Sequence, residues 1–208
     1  MRIFACLLVL FCVLHAGPSV AQEGNQDAAY LAMVDKAMAD PASVNWTEFR
    51  ELYTHTSFYK PYAGLTFWPA FERSAEAAAG LQMPGADKEF AQLQRQHWAN
   101  YTAHAYAISV ATKTDTPIID KAKSQAALEA IADSVVASGD GGSMKHAYRI
   151  VTLEEEKIIV EGLLGSRTTG VQSKKQEGRT YDLVSAVQDK TKKLSKVFFD
   201  TTLITSHQ

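Results

Sequence analysis

Four side chains within thirteen residues, Arg50, Tyr53, Tyr59 and Tyr62, carry the best binding chemistry in this chain. A guanidinium offers a planar fork that matches a carboxylate. A tyrosine offers a rigid aromatic face with a polar tip. Together they suit recognition of a carboxylate, a sugar or a peptide. The same residues also serve packing, with tyrosines stapling a loop to the core and Arg50 bonding backbone carbonyls. A second candidate is Gly139-Asp140-Gly141 within Ser138–Ser143, where successive N–H groups can form an anion nest. Those glycines follow a helix and precede a strand, the reverse of a phosphate loop, so a helix cap and tight turn is the simpler reading. Asp140 alone does not make a calcium loop.

The acidic candidates are Glu155 and Asp182, with His104 as a helper. They suit a general acid/base pair, provided that the fold brings two carboxyl groups together across a cleft. Charge at a helix N-terminus explains Glu154-Glu155-Glu156 without any activity. His97 and His104 lie seven residues apart, too far along a helix to share one ion, so no metal site is expected. No G-x-S-x-G, H-E-x-x-H or Walker pattern occurs, no cofactor is expected, and the reading leans away from an enzyme.

The first 21 residues read as an address rather than structure. Arg2 precedes the apolar run Ile3–Leu14, Gly17-Pro18 breaks it, and Ser19-Val20-Ala21 places small residues before Gln22. That is the pattern of a secretory signal peptide, and the run falls short of the ~20 residues of a membrane span. The expected product is periplasmic or secreted, without a membrane span after cleavage. Both cysteines, Cys6 and Cys12, fall inside that segment, so the mature chain would have neither thiol chemistry nor disulfides. With 21 basic and 23 acidic residues in 208, the charge balance gives no general field for nucleic acid.

The elements follow from periodicity. Apolar stripes at helical spacing predict helices over Ala28–Asp40, from Trp46 to Tyr53, over Thr66–Ala79, from Asp87 to Trp98, over Thr102–Thr112 and over Ile118–Ala137. Gln22–Asp27 is polar and reads as frayed. Asn45 with Glu48 is a helix-start signature. After the glycines the period changes. Ala147–Val151 is β-like, and Thr152 to Glu155 reads as a capping box opening a helix to Leu164. Arg167–Lys175, Thr180–Gln188 and Ser195–Ile204 read as strands. Lys190 to Lys196 is a lysine-rich turn of the kind that guards a sheet edge. The fold expected is α+β in one domain over residues 22–208, with a helical part over 22–143 and a sheet-rich part over 144–208. The helical part is expected to carry tetratricopeptide-like helix pairs and to pack on a mainly antiparallel sheet with one interspersed helix.

Phe49-Arg50-Glu51-Leu52-Tyr53 and Tyr59-Lys60-Pro61-Tyr62, then Ser138-Gly139-Asp140-Gly141, Ala147 to Val151 with Glu154-Glu155, Tyr181-Asp182-Leu183 and Val197 to Asp200, occur in a set order. In that order they resemble an exported bacterial family, domain of unknown function 4919, over about Ala28 to Ile204. Where the family usually has Tyr after the paired Glu, Glu156 stands here. The resemblance implies export and brings no activity with it. The function expected is a non-enzymatic periplasmic or secreted module that binds a protein or peptide of the cell envelope. The alternatives are a cell-envelope hydrolase with carboxylate acid/base groups, and a structural or assembly factor.

Overall fold

The computed structural model describes residues 20–62, 67–80, 84–114 and 118–206. The signal-like run before Val20 lies outside them. The order is helices first and a sheet at the end, as expected of an α+β chain. Among the described residues no helix is long and apolar enough to cross a membrane.

Helix α1 (Val20–Ala39) begins earlier than the polar composition of Gln22–Asp27 predicts. Asp27 accepts from both the Ser57 N–H and hydroxyl, at 2.8 and 2.6 Å, which ties α1 to the loop around Ser57. Helix α2 (Trp46–Tyr53) starts where the sequence says it should. Asn45 accepts from the N–H groups of Thr47 and Glu48, and its amide donates to Glu48 Oε1 at 2.9 Å. That satisfies N–H groups that a helix start leaves orphaned, worth about 1 kcal/mol. Helices α3 (Phe67–Ala79), α4 (Ala86–Gln96), α5 (Tyr101–Thr114) and α6 (Lys121–Val136) follow. The predicted cap Asp87 sits inside the first turn of α4, and Gly85, with φ of 86°, holds the cap position. Helix α3 packs on α4 and α5, and α5 on α6.

Three apolar clusters form. One joins α1, α2 and α6 through Tyr30, Phe49, Tyr53, Trp98 and Ile131. A second joins α3, α4 and α5 through Trp68, Phe71, Phe90 and Val110. The third lies under the sheet, with Val135, Ile150, Ile159, Val184 and Phe199. Each such side chain contributes about 1.5–3 kcal/mol by leaving water.

The sheet comprises β1 (Tyr148–Arg149), β2 (Ser166–Gln176), β3 (Arg179–Gln188) and β4 (Leu194–Asp200), in the order β1-β4-β3-β2. Only β1 pairs parallel, with β4; the other two pairings are antiparallel. Helix α7 (Glu154–Lys157) and a wider π-helical turn (Ile158–Leu163) interrupt the strands, as the sequence suggests. Two local expectations fail. The capping box does not form: the Thr152 hydroxyl has no hydrogen-bond partner among the described residues, and the Glu155 carboxylate bonds Arg50 and the Val151 N–H, as described below. The last strand ends at Asp200, where Thr202 bonds back to the Asp200 carboxylate through its N–H and hydroxyl and opens the short helix α8 (Thr202–Thr205).

Candidate functional site

Arg50 sits on α2 and is 2% exposed. Its Nη2 donates to Glu155 Oε2 at 2.6 Å and its Nε to Oε1 at 3.3 Å, a bidentate pair. Nη1 donates to the Ser134 hydroxyl on α6 at 3.1 Å, and Nη2 also to the Arg149 carbonyl on β1 at 3.3 Å. Glu155, 1% exposed, accepts the Val151 N–H through Oε2 at 2.9 Å. One guanidinium therefore ties two helices to β1 and to the α7 start. Outside it, Arg149 pairs with Glu51 on the same helix. A buried pair of this kind offsets its desolvation only when its remaining polar groups are also satisfied. Here both nitrogen ends and both carboxyl oxygens have partners.

The tyrosines divide. The Tyr59 hydroxyl donates to the Val151 carbonyl at 2.6 Å, and the Tyr53 hydroxyl meets His97 Nδ1 at 2.7 Å; both rings are buried. Burial raises both phenols, further raised in Tyr59 by the charge of Glu155. Tyr62 alone reaches the surface, 50% exposed. Arg50, Tyr53 and Tyr59 thus lie inside the fold rather than on an open cleft.

The histidines are core residues too. Helix α4 ends before His97 and α5 begins at Tyr101, so His97 and His104 do not share a helix. His104 Nε2 donates to the Trp98 carbonyl at 2.7 Å, and its ring meets Trp98 edge-on at 4.8 Å. Burial pushes His104 down to about 4, against the opposing pull of the Trp98 carbonyl. Burial, with a smaller repulsion from Lys60, pushes His97 down to about 3. Both are neutral at physiological pH. The Gly139-Asp140-Gly141 loop uses its N–H groups internally. Those of Asp140 and Gly141 donate to the His146 carbonyl, at 3.0 and 2.8 Å, and that of Gly139 to Val136. The Gly141 carbonyl accepts from Phe198, so the loop fastens α6 to β4 and directs no N–H at an anion.

The acidic pair is not the one that sequence reasoning selected. Glu155 is committed to Arg50, and its neighbour Glu156 meets Asp182. Adjacent helical residues point ~100° apart, so only one of the two can face α2. Where Arg50 would lie was the missing information. Asp182 is 8% exposed on β3 and accepts from the Ser173 hydroxyl on β2. Burial first, then the charge and hydrogen bonding of Asp182, push Glu156 up to about 8. Glu156 Oε1 is buried without a hydrogen-bond partner. Two like carboxyls cannot both ionise cheaply, so Glu156 holds the proton at neutral pH. Among the described residues no group of His, Cys, Asp or Glu is placed to hold a metal ion.

What remains open lies elsewhere. A cavity of 610 Å³ forms between Glu161, Leu163, Gly165, Arg167, Gln188 and Lys190. A groove of 570 Å³ runs between Asn45-Trp46 and Glu129-Ala130-Asp133 on α6. Among the described residues strand β2 is the sheet's outer strand and is hydrogen-bonded to β3 alone, with nine of its eleven residues exposed. Comparison with family models, curated proteins and solved structures finds no match to this chain.

Proposed function

We propose that this chain is an exported, non-enzymatic module that binds a protein or peptide of the cell envelope, with β2 as the binding element. The observation that carries this reading is the outer edge of β2, unpaired among the described residues. Alternate N–H and C=O groups of such a strand point away from their own sheet and can accept an added strand. The helical body supports the role by holding the sheet rigid through Arg50 and Glu155. Export rests on the signal-like Arg2–Ala21 segment, and relationship to domain of unknown function 4919 rests on the motifs from Phe49 to Asp200.

The test is a photo-crosslinking residue placed at Val171 on β2, with the same residue at Gln92 on α4 as control; both positions are exposed. In the exported compartment a discrete adduct is expected from Val171 and none from Gln92. Equal labelling from both, or none from Val171, would reject the reading.

One observation favours a second reading, a cell-envelope hydrolase. Glu156, its proton held by burial and by the neighbouring Asp182 carboxylate, is a candidate general acid. Release of soluble fragments from isolated envelope material, lost in both Glu156→Gln and Asp182→Asn, would support it. No release by the wild-type chain would exclude it for that substrate.

A further inference from the structure

The charge of this chain is unevenly distributed. Residues 166–196 carry eight basic and three acidic side chains, a net +5, in a chain of net charge −2, so the rest carries −7. Among the described residues only Arg179 of those eight cations has a carboxylate partner, Asp200. Arg167, Lys174 and Lys175 lie on β2 itself and are exposed. Lys190, Lys192 and Lys193 occupy the turn between β3 and β4, and Lys196 follows on β4, all exposed.

Position on the strand decides what these cations can do together. Lys174 and Lys175 are successive, so they leave opposite faces of the sheet. No flat surface meets both, whereas a strand added along the edge lies within reach of each. Among the described residues the backbone hydrogen bonds of β2 run to β3 alone, which leaves its other edge available. A second copy of this chain is a poor occupant. Pairing with itself brings the same net +5 segment against its like, and in the antiparallel pairing centred on Val171 Arg167 lies directly opposite Lys175. Nucleic acid is a poor occupant as well, because the one aromatic residue of the segment, Tyr181, is buried and offers no stacking face.

Resting on the reading above, we propose that the partner of β2 is an acidic extended peptide segment that adds to the sheet as a fifth strand. Backbone hydrogen bonds supply the pairing, and the β2 cations select carboxylate-bearing strands. The cations that disfavour a second copy admit an acidic strand, so one device gives both rejection and preference. The interaction is weakened by salt, because the cations are solvent-exposed.

The probe is a labelled peptide alternating Glu with Val and Thr, long enough to span β2, with its Lys-for-Glu counterpart as control. Anisotropy is followed on the full chain at low and high salt, and amide hydrogen exchange is read on β2. The Glu peptide is expected to bind, to weaken with salt and to protect β2 amides, and the Lys peptide to fail. Lys174→Glu with Lys175→Glu, both exposed, should leave the fold intact and weaken binding about tenfold or more. Three results would overturn the proposal: equal binding of both peptides, binding without β2 protection, or stronger association with anionic phosphatidylglycerol vesicles that the double substitution abolishes. If the acidic preference fails while the Val171 adduct forms, the partner class is wrong and the binding reading stands. If the adduct also fails, both fall.

Discussion

Replacing Arg50 by Met leaves Glu155 buried with the Val151 N–H as its remaining hydrogen-bond partner. Oε1 then loses the Arg50 Nε bond and Oε2 its 2.6 Å contact. The Arg149 carbonyl loses a donor, while Ser134 keeps its bond to the Ile131 carbonyl. Breaking one side of such a buried pair costs about 3–5 kcal/mol. Against a total stability of about 5–15 kcal/mol, that is a large fraction. Adding Glu155→Leu removes the stranded charge and leaves mainly the Val151 N–H unmet, about 1–3 kcal/mol. The double variant should therefore be more stable than Arg50→Met alone. Urea unfolding followed by the fluorescence of Trp46, Trp68 and Trp98 measures this. If Arg50→Met costs less than ~0.5 kcal/mol, as an ordinary surface change does, Arg50 does not clamp the sheet to the helices.

The pH dependence of stability should peak near 6.5. His97 and His104 stay neutral in the native chain down to about 3 and about 4, while the unfolded chain takes up protons near 6.5, so stability falls as pH drops below that. Glu156 works in the opposite sense: the native chain keeps its proton to about 8 and the unfolded chain releases it near 4.5, so stability falls as pH rises through that window. Between 4.5 and 6.5 two groups oppose one, a net loss of about 1.4 kcal/mol per pH unit on acidification. Glu156→Gln should flatten the alkaline side and roughly double the acid slope; an unchanged profile in that variant would contradict the carboxyl pairing. Gly139→Ala should destabilise by more than ~2 kcal/mol, because its Cβ would lie 2.4 Å from the His146 carbonyl oxygen. Calorimetry giving a melting temperature within a degree or two of wild type would refute that.

The parts of the fold that were legible were those written locally. Asn45 and Glu48 mark a helix start with their own side chains, and α6 ends where the stretch from Ser138 to Gly142 begins. The short stretch between β3 and β4 likewise leaves the two strands paired antiparallel. What was not legible depends on partners distant in sequence. Arg50 and Glu155 are 105 residues apart, and only their meeting decides that this guanidinium lies in the core. The same meeting turns Glu156 toward Asp182, a pairing that no spacing between positions 156 and 182 announces. The capping box at Thr152 does not form either: the Glu155 carboxylate bonds Arg50 and the Val151 N–H. The basic character of β2 was present in the sequence, but its significance depends on the strand order, which leaves β2 outermost.

Amide hydrogen exchange on the complex with whatever partner the Val171 adduct identifies tests the central claim most directly. With β2 as the binding edge, alternate amides from Arg167 to Gln176 slow on binding, while those around Asn45 and from Ala126 to Ala137 keep their free rates. Protection confined to the 570 Å³ groove between Asn45-Trp46 and α6, with β2 unchanged, would contradict it.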